Sequence, residues 1–160
     1  MYQDHFTQTV VTILAIVIGC IMAFAACFVD HLSLNYGTIY KLWGMITLTV
    51  LLVSSFVPYK KWSKNLLDAL SVKEGTLWYK LLDNIVPTIC LNTFITVMVS
   101  GANILFNESI PGADRMNEWI HTMLHDWPIT FVISYFAAFA AEYCGVFVAK
   151  RNSKKAIHIS

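Results

Sequence analysis

Four apolar runs, each close to the length of a membrane-crossing helix and separated by short polar stretches, dominate this chain of 160 residues. A hydrocarbon core of about 30 Å takes about 20 helical residues to cross. The runs at residues 7–29, 42–58, 85–106 and 128–149 reach or approach that length. Lipid offers the backbone no hydrogen-bond partner, so a spanning segment is either a helix or part of a closed barrel. These runs are rich in Ile, Leu, Phe and Ala and lack the alternation of a barrel strand, which leaves helices. Composition agrees: 57% of the residues are hydrophobic and 13% charged, against about 45–50% and about 25% in soluble domains. The expected fold is an all-α membrane protein of four transmembrane helices, forming one integral membrane domain over residues 1–160.

The same numbers exclude several classes of function. A net charge of +1 gives no basic face for a phosphate backbone, so no nucleic-acid partner is expected. Cys20, Cys27, Cys90 and Cys144 all fall inside apolar runs and show no CxxC or Cys/His spacing, so they read as small packing residues. Residues 1–6 carry no Lys or Arg, and the run after them is too long for a signal-peptide core; the first span is expected to be retained. No nucleophile–base pair, Gly-rich phosphate loop or cofactor motif occurs, so neither an enzyme nor a cofactor is expected.

Orientation follows from the basic residues, which favour the cytoplasmic side. The loop at 59–84 holds Lys60, Lys61, Lys64, Lys73 and Lys80, and the tail holds Lys150, Arg151, Lys154 and Lys155. Only Lys41 and Arg115 fall in the other two loops. The expected arrangement is a multi-pass protein of the plasma membrane with both termini in the cytoplasm. Trp43, Trp119 and Trp127 then fall at the outer boundary and Trp62 and Trp78 at the inner one, where indole rings prefer to sit.

Two loops carry helical patterns. After Asp114, a plausible N-cap, Met116, Trp119, Ile120, Met123 and Trp127 recur at helical spacing. This predicts a short amphipathic helix lying on the outer leaflet and turning into the fourth span at Pro128, a residue tolerated in a helix's first turn. On the inner side Trp62, Leu66 and Leu70 form a shorter stripe of the same kind.

The chain also divides into two hairpins of like design, 7–64 and 83–155, each ending in a basic cluster. The segments at 56–64 and 147–154 align with one gap, which suggests a duplicated helical hairpin. In the second half Met98, Asn103, the polar turn, His125-Asp126-Trp127-Pro128, an apolar run through Glu142, and Gly145 to Lys150-Arg151 resemble the short bacterial membrane hairpin proteins catalogued as domain of unknown function 2798. The resemblance is clearer in the second half than in the first. It implies a helical hairpin with a basic end, and no activity or site residue.

Glu142 is the carboxylate well inside a predicted span, eight residues before Lys150 and so about 12 Å from that end. Ionised groups at such depth are costly, which marks Glu142 as a proton- or substrate-binding candidate. Asn92 falls at a similar depth in the third span, where the pair could share a hydrogen bond that instead fixes helix register. Asn103 and Ser100 lie toward the outer end of that span, as packing contacts or the lining of a shallow cavity. Ala15, Gly19 and Ala23, and Ala137, Ala141, Gly145 and Ala149, recur every four residues, a spacing that lets helices approach within one chain or between copies of a homo-oligomer. Asp114, Glu118, His121 and His125 form the polar stripe of the outer segment; Glu118, His121 and His125 could ligate a metal, sense pH, or face water. Two functions remain open: a small transporter or channel-like protein using its intramembrane carboxylate, or a non-transporting module that assembles through its helices. The bilayer is the expected partner in both.

The orientation is testable by labelling. In intact cells a membrane-impermeant thiol reagent should reach Asn107→Cys and spare Ser71→Cys in a variant lacking the native cysteines; the opposite pattern would reverse the topology.

Overall fold

In the computed structural model, the backbone is described for residues 2–29, 31–107 and 109–157, and side chains for 6–29, 31–107 and 109–151. The Lys154 and Lys155 side chains of the basic tail lie outside the described residues. Six helices follow in order: α1 (Tyr2–Val29), α2 (Tyr36–Phe56), α3 (Tyr59–Ala69), α4 (Leu77–Asp83), α5 (Ile85–Ile104) and α6 (Arg115–Ile157). Four stretches, in α1, in α2, across α4 and α5, and in α6, are long and apolar enough to cross a membrane. The long helices α1, α2, α5 and α6 pack in a ring in which each touches the next and α6 closes against α1. Met22, Leu42, Ile46, Val50, Leu91, Ile95 and Ala141 are among the residues that fill its centre.

Small residues set how closely the helices approach. Ala15, Ala23, Ala137, Ala141 and Ala149 are buried, and the two glycines of these stripes mark the tightest crossings. A side chain at Gly19 would run into the Thr47 hydroxyl of α2, with Trp43 Cδ1 at 3.1 Å. At Gly145 it would meet the Val10 carbonyl of α1 at 3.2 Å. Both stripes are therefore spent on contacts within the chain. Trp43 Nε1 donates to the Ile16 carbonyl at 3.2 Å, so this indole ties α2 to the middle of α1 rather than facing headgroups.

Local chemistry moves several boundaries away from the hydropathy limits. The second span starts at Tyr36 rather than near residue 42, because Asn35 Oδ1 accepts from Thr38 N at 2.8 Å and caps the helix. It ends at Phe56, since a residue before Pro58 is steered out of helical geometry. The basic loop is largely helical: α4 is capped by Thr76, whose Oγ1 accepts from Tyr79 N, and α3 docks through Tyr59, Ser63 and Leu67. Ser63 Oγ donates to Asp83, the last residue of α4.

The segment expected as an amphipathic helix before the fourth span is helical and runs into that span without a break. Residues 115–157 form one helix of 43 residues that continues through Pro128. Proline removes the bond to the carbonyl four residues back, that of Leu124. Side chains of α5 brace the adjoining turn: Asn92 Nδ2 donates to the Trp127 carbonyl at 3.1 Å, and Trp127 Nε1 donates to Thr93 Oγ1 at 3.1 Å. Of the apolar stripe, Trp119, Met123 and Trp127 are partly buried, whereas Met116 and Ile120 remain exposed.

The α1–α2 crossing generates a stability prediction. Gly19→Ala should destabilise the protein by about 1–3 kcal/mol, the usual cost of overpacking, read as a lower melting temperature in detergent. Thr47 Oγ1 is buried without a hydrogen-bond partner, so Thr47→Ala alone should cost little and should rescue much of the loss in the double variant. No rescue would show that the Gly19 contact lies elsewhere.

Candidate functional site

A polar seam runs between α5 and α6. Along α5, Asn84, Thr88, Asn92, Thr96 and Ser100 recur every four residues, which stacks them on one helix face; all but Asn84 are buried. Opposite them on α6, Asp126, Thr130 and Ser134 are also four apart and buried. Asn84 Nδ2 donates to the Tyr135 carbonyl at 3.3 Å. Asn92 is fully enclosed, donating to the Trp127 carbonyl and accepting from Ser134 Oγ at 3.4 Å. Thr130 Oγ1 lies 2.9 Å from the Asp126 carbonyl and 3.1 Å from that of Trp127. Its single proton therefore goes to the backbone, and Thr96 Oγ1 is the donor in the 3.2 Å contact between the two threonines. Ser100 Oγ donates to the Thr96 carbonyl and accepts from Trp119 Nε1 at 3.0 Å.

At the end of the bundle that holds the α5–α6 loop, the seam opens into a cleft of about 380 Å³ lined by Val29, His31, Leu32, Ser100, Asn103, Ile104, Asn107, His121, Thr122, His125 and Asp126. That volume is in the range that admits small ligands. A second cavity of about 20 Å³ lies against Met22, Ala26, Ile95, Thr96, Val99 and Thr130, and it shares Ser100 and Asp126 with the cleft. It has room for about one water.

Asp126 is the chemical centre of this arrangement. It is 6% exposed, and its Oδ1 lies 2.8 Å from Nδ1 of His125, whose side chain is 67% exposed. Asp126 also forms part of the wall of the cleft. A carboxylate held beside an imidazole on the wall of a cleft is suited to a cation.

His31 reaches the cleft at a conformational cost. Leu32 N donates to the Cys27 carbonyl at 3.0 Å, closing α1 in a Schellman motif with His31 at φ 50°. That left-handed position usually belongs to glycine. At the start of α6 the Arg115 guanidinium donates to the carbonyls of Ile110 at 2.9 Å and Leu105 at 3.4 Å, so its charge is held on backbone oxygens of the α5–α6 connection.

The residues singled out from the sequence are dispersed. Asn103, His121 and His125 line the cleft, whereas Glu118 is exposed and outside its lining. Among the described residues no three His, Cys, Asp or Glu side chains come together around a metal position. Glu142 and Asn92 do not form the expected pair. Asn92 is engaged by Trp127 and Ser134, and Ser134 precedes Glu142 by about 12 Å along α6. Glu142 itself lies on the exposed surface of that helix. Asp126, Thr96, Thr130, Ser134 and His31 were not anticipated; the four-residue polar period of α5 was the signal that could have found the seam.

Comparison with protein-family models, curated proteins and solved structures finds no match to this chain.

The backbone geometry at His31 yields a prediction. His31→Gly should raise stability by about 1–2 kcal/mol, the left-handed penalty of an L residue, measured as a higher melting temperature. An unchanged or lower value would mean that the imidazole makes contacts worth at least the strain.

Proposed function

We propose that this is a small transport-type membrane protein that receives a small cationic solute in the cleft and binds it at Asp126. The observation that carries this reading is the buried carboxylate of Asp126 on the wall of the cleft, with one oxygen against His125. Burial makes a lone carboxylate costly, so a cation that completes its coordination stabilises the site. The polar seam beneath supports the reading as a line of hydroxyl and amide groups that leads from the cleft toward the other end of the bundle. In this proposal the basic end faces the cytoplasm, as the lysine distribution suggests, and the cleft opens outside the plasma membrane. The resemblance to domain of unknown function 2798, and a duplicated hairpin underlying the α1–α2 and α5–α6 pairs, belong to the same proposal.

A second reading has its own observation. Glu142 lies on the surface of α6, without a hydrogen bond or ion pair among the described residues, and Phe136, Tyr143 and Phe147 are exposed on the same helix. A carboxylate on a membrane-spanning surface favours a covering partner, as in a non-transporting module that assembles through this face.

One series of measurements separates them. In nanodiscs, methylammonium should change the tryptophan fluorescence saturably, reported by Trp119 and Trp127 beside the cleft. Asp126→Asn should weaken that response roughly tenfold or more, as expected when a charged hydrogen-bond partner is lost, while Glu142→Gln leaves it intact. Uptake of labelled methylammonium by proteoliposomes should follow the same pattern. If Glu142→Gln abolishes uptake and Asp126→Asn does not, the coupling carboxylate is Glu142; no saturable response in the unmodified protein sinks the cation-transport reading and leaves the module.

A further inference from the structure

Helix α3 is built in three sectors. Tyr59, Ser63 and Leu67, four residues apart, are buried against the bundle, and Ser63 is fixed there by its bonds to Asp83. Next to that docked face lie Trp62, Leu66 and Leu70, also four apart, with Trp62 48% and Leu70 53% exposed. Leu77 and Trp78 of α4, 73% and 70% exposed, add to the apolar surface at this end. On the other flank are Lys60, Lys64 and Lys61, all exposed, with Asp68 the one acidic residue of the helix. None of these lysines makes an ion pair among the described residues. Docking thus fixes the helix in one rotation, with an apolar strip on one side and a row of uncompensated ammonium groups on the other.

We infer that α3 is a binding element for anionic phospholipid headgroups of the leaflet at the basic end of the bundle. Three features select this partner. The membrane-length helix α2 ends at Phe56, and only Val57 and Pro58 separate it from α3, which puts α3 where hydrocarbon gives way to headgroups. An apolar strip beside a cationic row is what lies stably in that boundary, rings and leucines toward the acyl chains and ammonium groups toward phosphate. The charge is complementary to an acidic leaflet, where each lysine near the surface contributes roughly fivefold in affinity. A soluble acidic partner would satisfy the lysines but leave Trp62 and Leu70 in water. This inference is independent of the solute cleft at the opposite end.

The test uses the full chain in phosphatidylcholine bilayers doped with equal small fractions of either brominated phosphatidylglycerol or brominated phosphatidylcholine. The contribution of Trp62 is the difference in quenching between the unmodified protein and Trp62→Phe. Brominated phosphatidylglycerol should quench Trp62 several-fold more than its neutral counterpart. The combined Lys60→Gln, Lys61→Gln and Lys64→Gln variant, altered only at exposed positions, should lose that preference while keeping the neutral-lipid quenching. Equal quenching by the two lipids, or a preference that survives removal of the lysines, would overturn the assignment. Quenching by neither would place α3 in water and overturn it as well.

Discussion

Lipid is as apolar as a leucine side chain, so once the helices are in the membrane the hydrophobic effect gives them no reason to adhere. What remains is close packing and hydrogen bonding, and this bundle divides the two between different helix pairs. The α1–α2 and α1–α6 crossings rest on glycine: Gly19 accepts Thr47 and Trp43 of α2, and Gly145 lies against the Val10 backbone of α1. The α5–α6 pair rests on the polar seam. A surplus of Thr and Ser inside a membrane is tolerable because each hydroxyl can donate to a carbonyl a turn back in its own helix. Thr49 donates to the Met45 carbonyl, Ser55 to Leu51, Thr93 to Ile89 and Thr88 to Asn84. Thr47 is the exception, caught at the tightest crossing without a partner. A hydroxyl left orphaned there suggests that the close approach itself decides the geometry.

The seam explains how a helix of 43 residues crosses Pro128 without ending. Proline inside a helix normally costs about 3 kcal/mol or more. Here the turn around it is braced from α5 by Asn92 and Thr93, and within α6 by Thr130. Each interhelical bond in a membrane contributes only about 0.6 kcal/mol on average, so several acting together are needed to offset a missing backbone bond. The same bracing sets Asp126 two residues before the proline, facing α5 and the cleft. The support of the helix and the position of the carboxylate have a common origin.

Much of the fold was legible in the sequence because hydropathy and small-residue spacing report on forces that act along a whole helix. The four spans, the absence of strands among the described residues and the two small-residue stripes all follow from such averages. What was not legible depends on single contacts. The extension of α2 back to Tyr36 rests on one side chain, Asn35. The continuity of α6 rests on bonds from another helix to the turn at Pro128, which no local rule about proline contains. The tryptophans show the same limit. Composition places Trp43, Trp119 and Trp127 at a membrane boundary, yet each indole N–H is taken by the bundle, through Ile16, Ser100 and Thr93.

The site was missed for a related reason. Scanning for charges inside apolar runs selects Glu142, since a boundary drawn at Pro128 assigns Asp126 to a loop. Depth in a sequence run and burial in a structure are different quantities, and here they are inverted: Glu142, well inside its run, is exposed on α6, while Asp126, outside it, is enclosed between α1, α5 and α6. The period of polar residues in α5 would have corrected this. A row at 84, 88, 92, 96 and 100 identifies the face of α5 turned toward another helix, because in lipid such a row must be buried in protein. Its far end, Ser100, lines the same small cavity as Asp126. In a chain almost free of charge within its spans, the useful question is therefore where the uncharged polar residues align, since they mark the surface on which a buried carboxylate can be held.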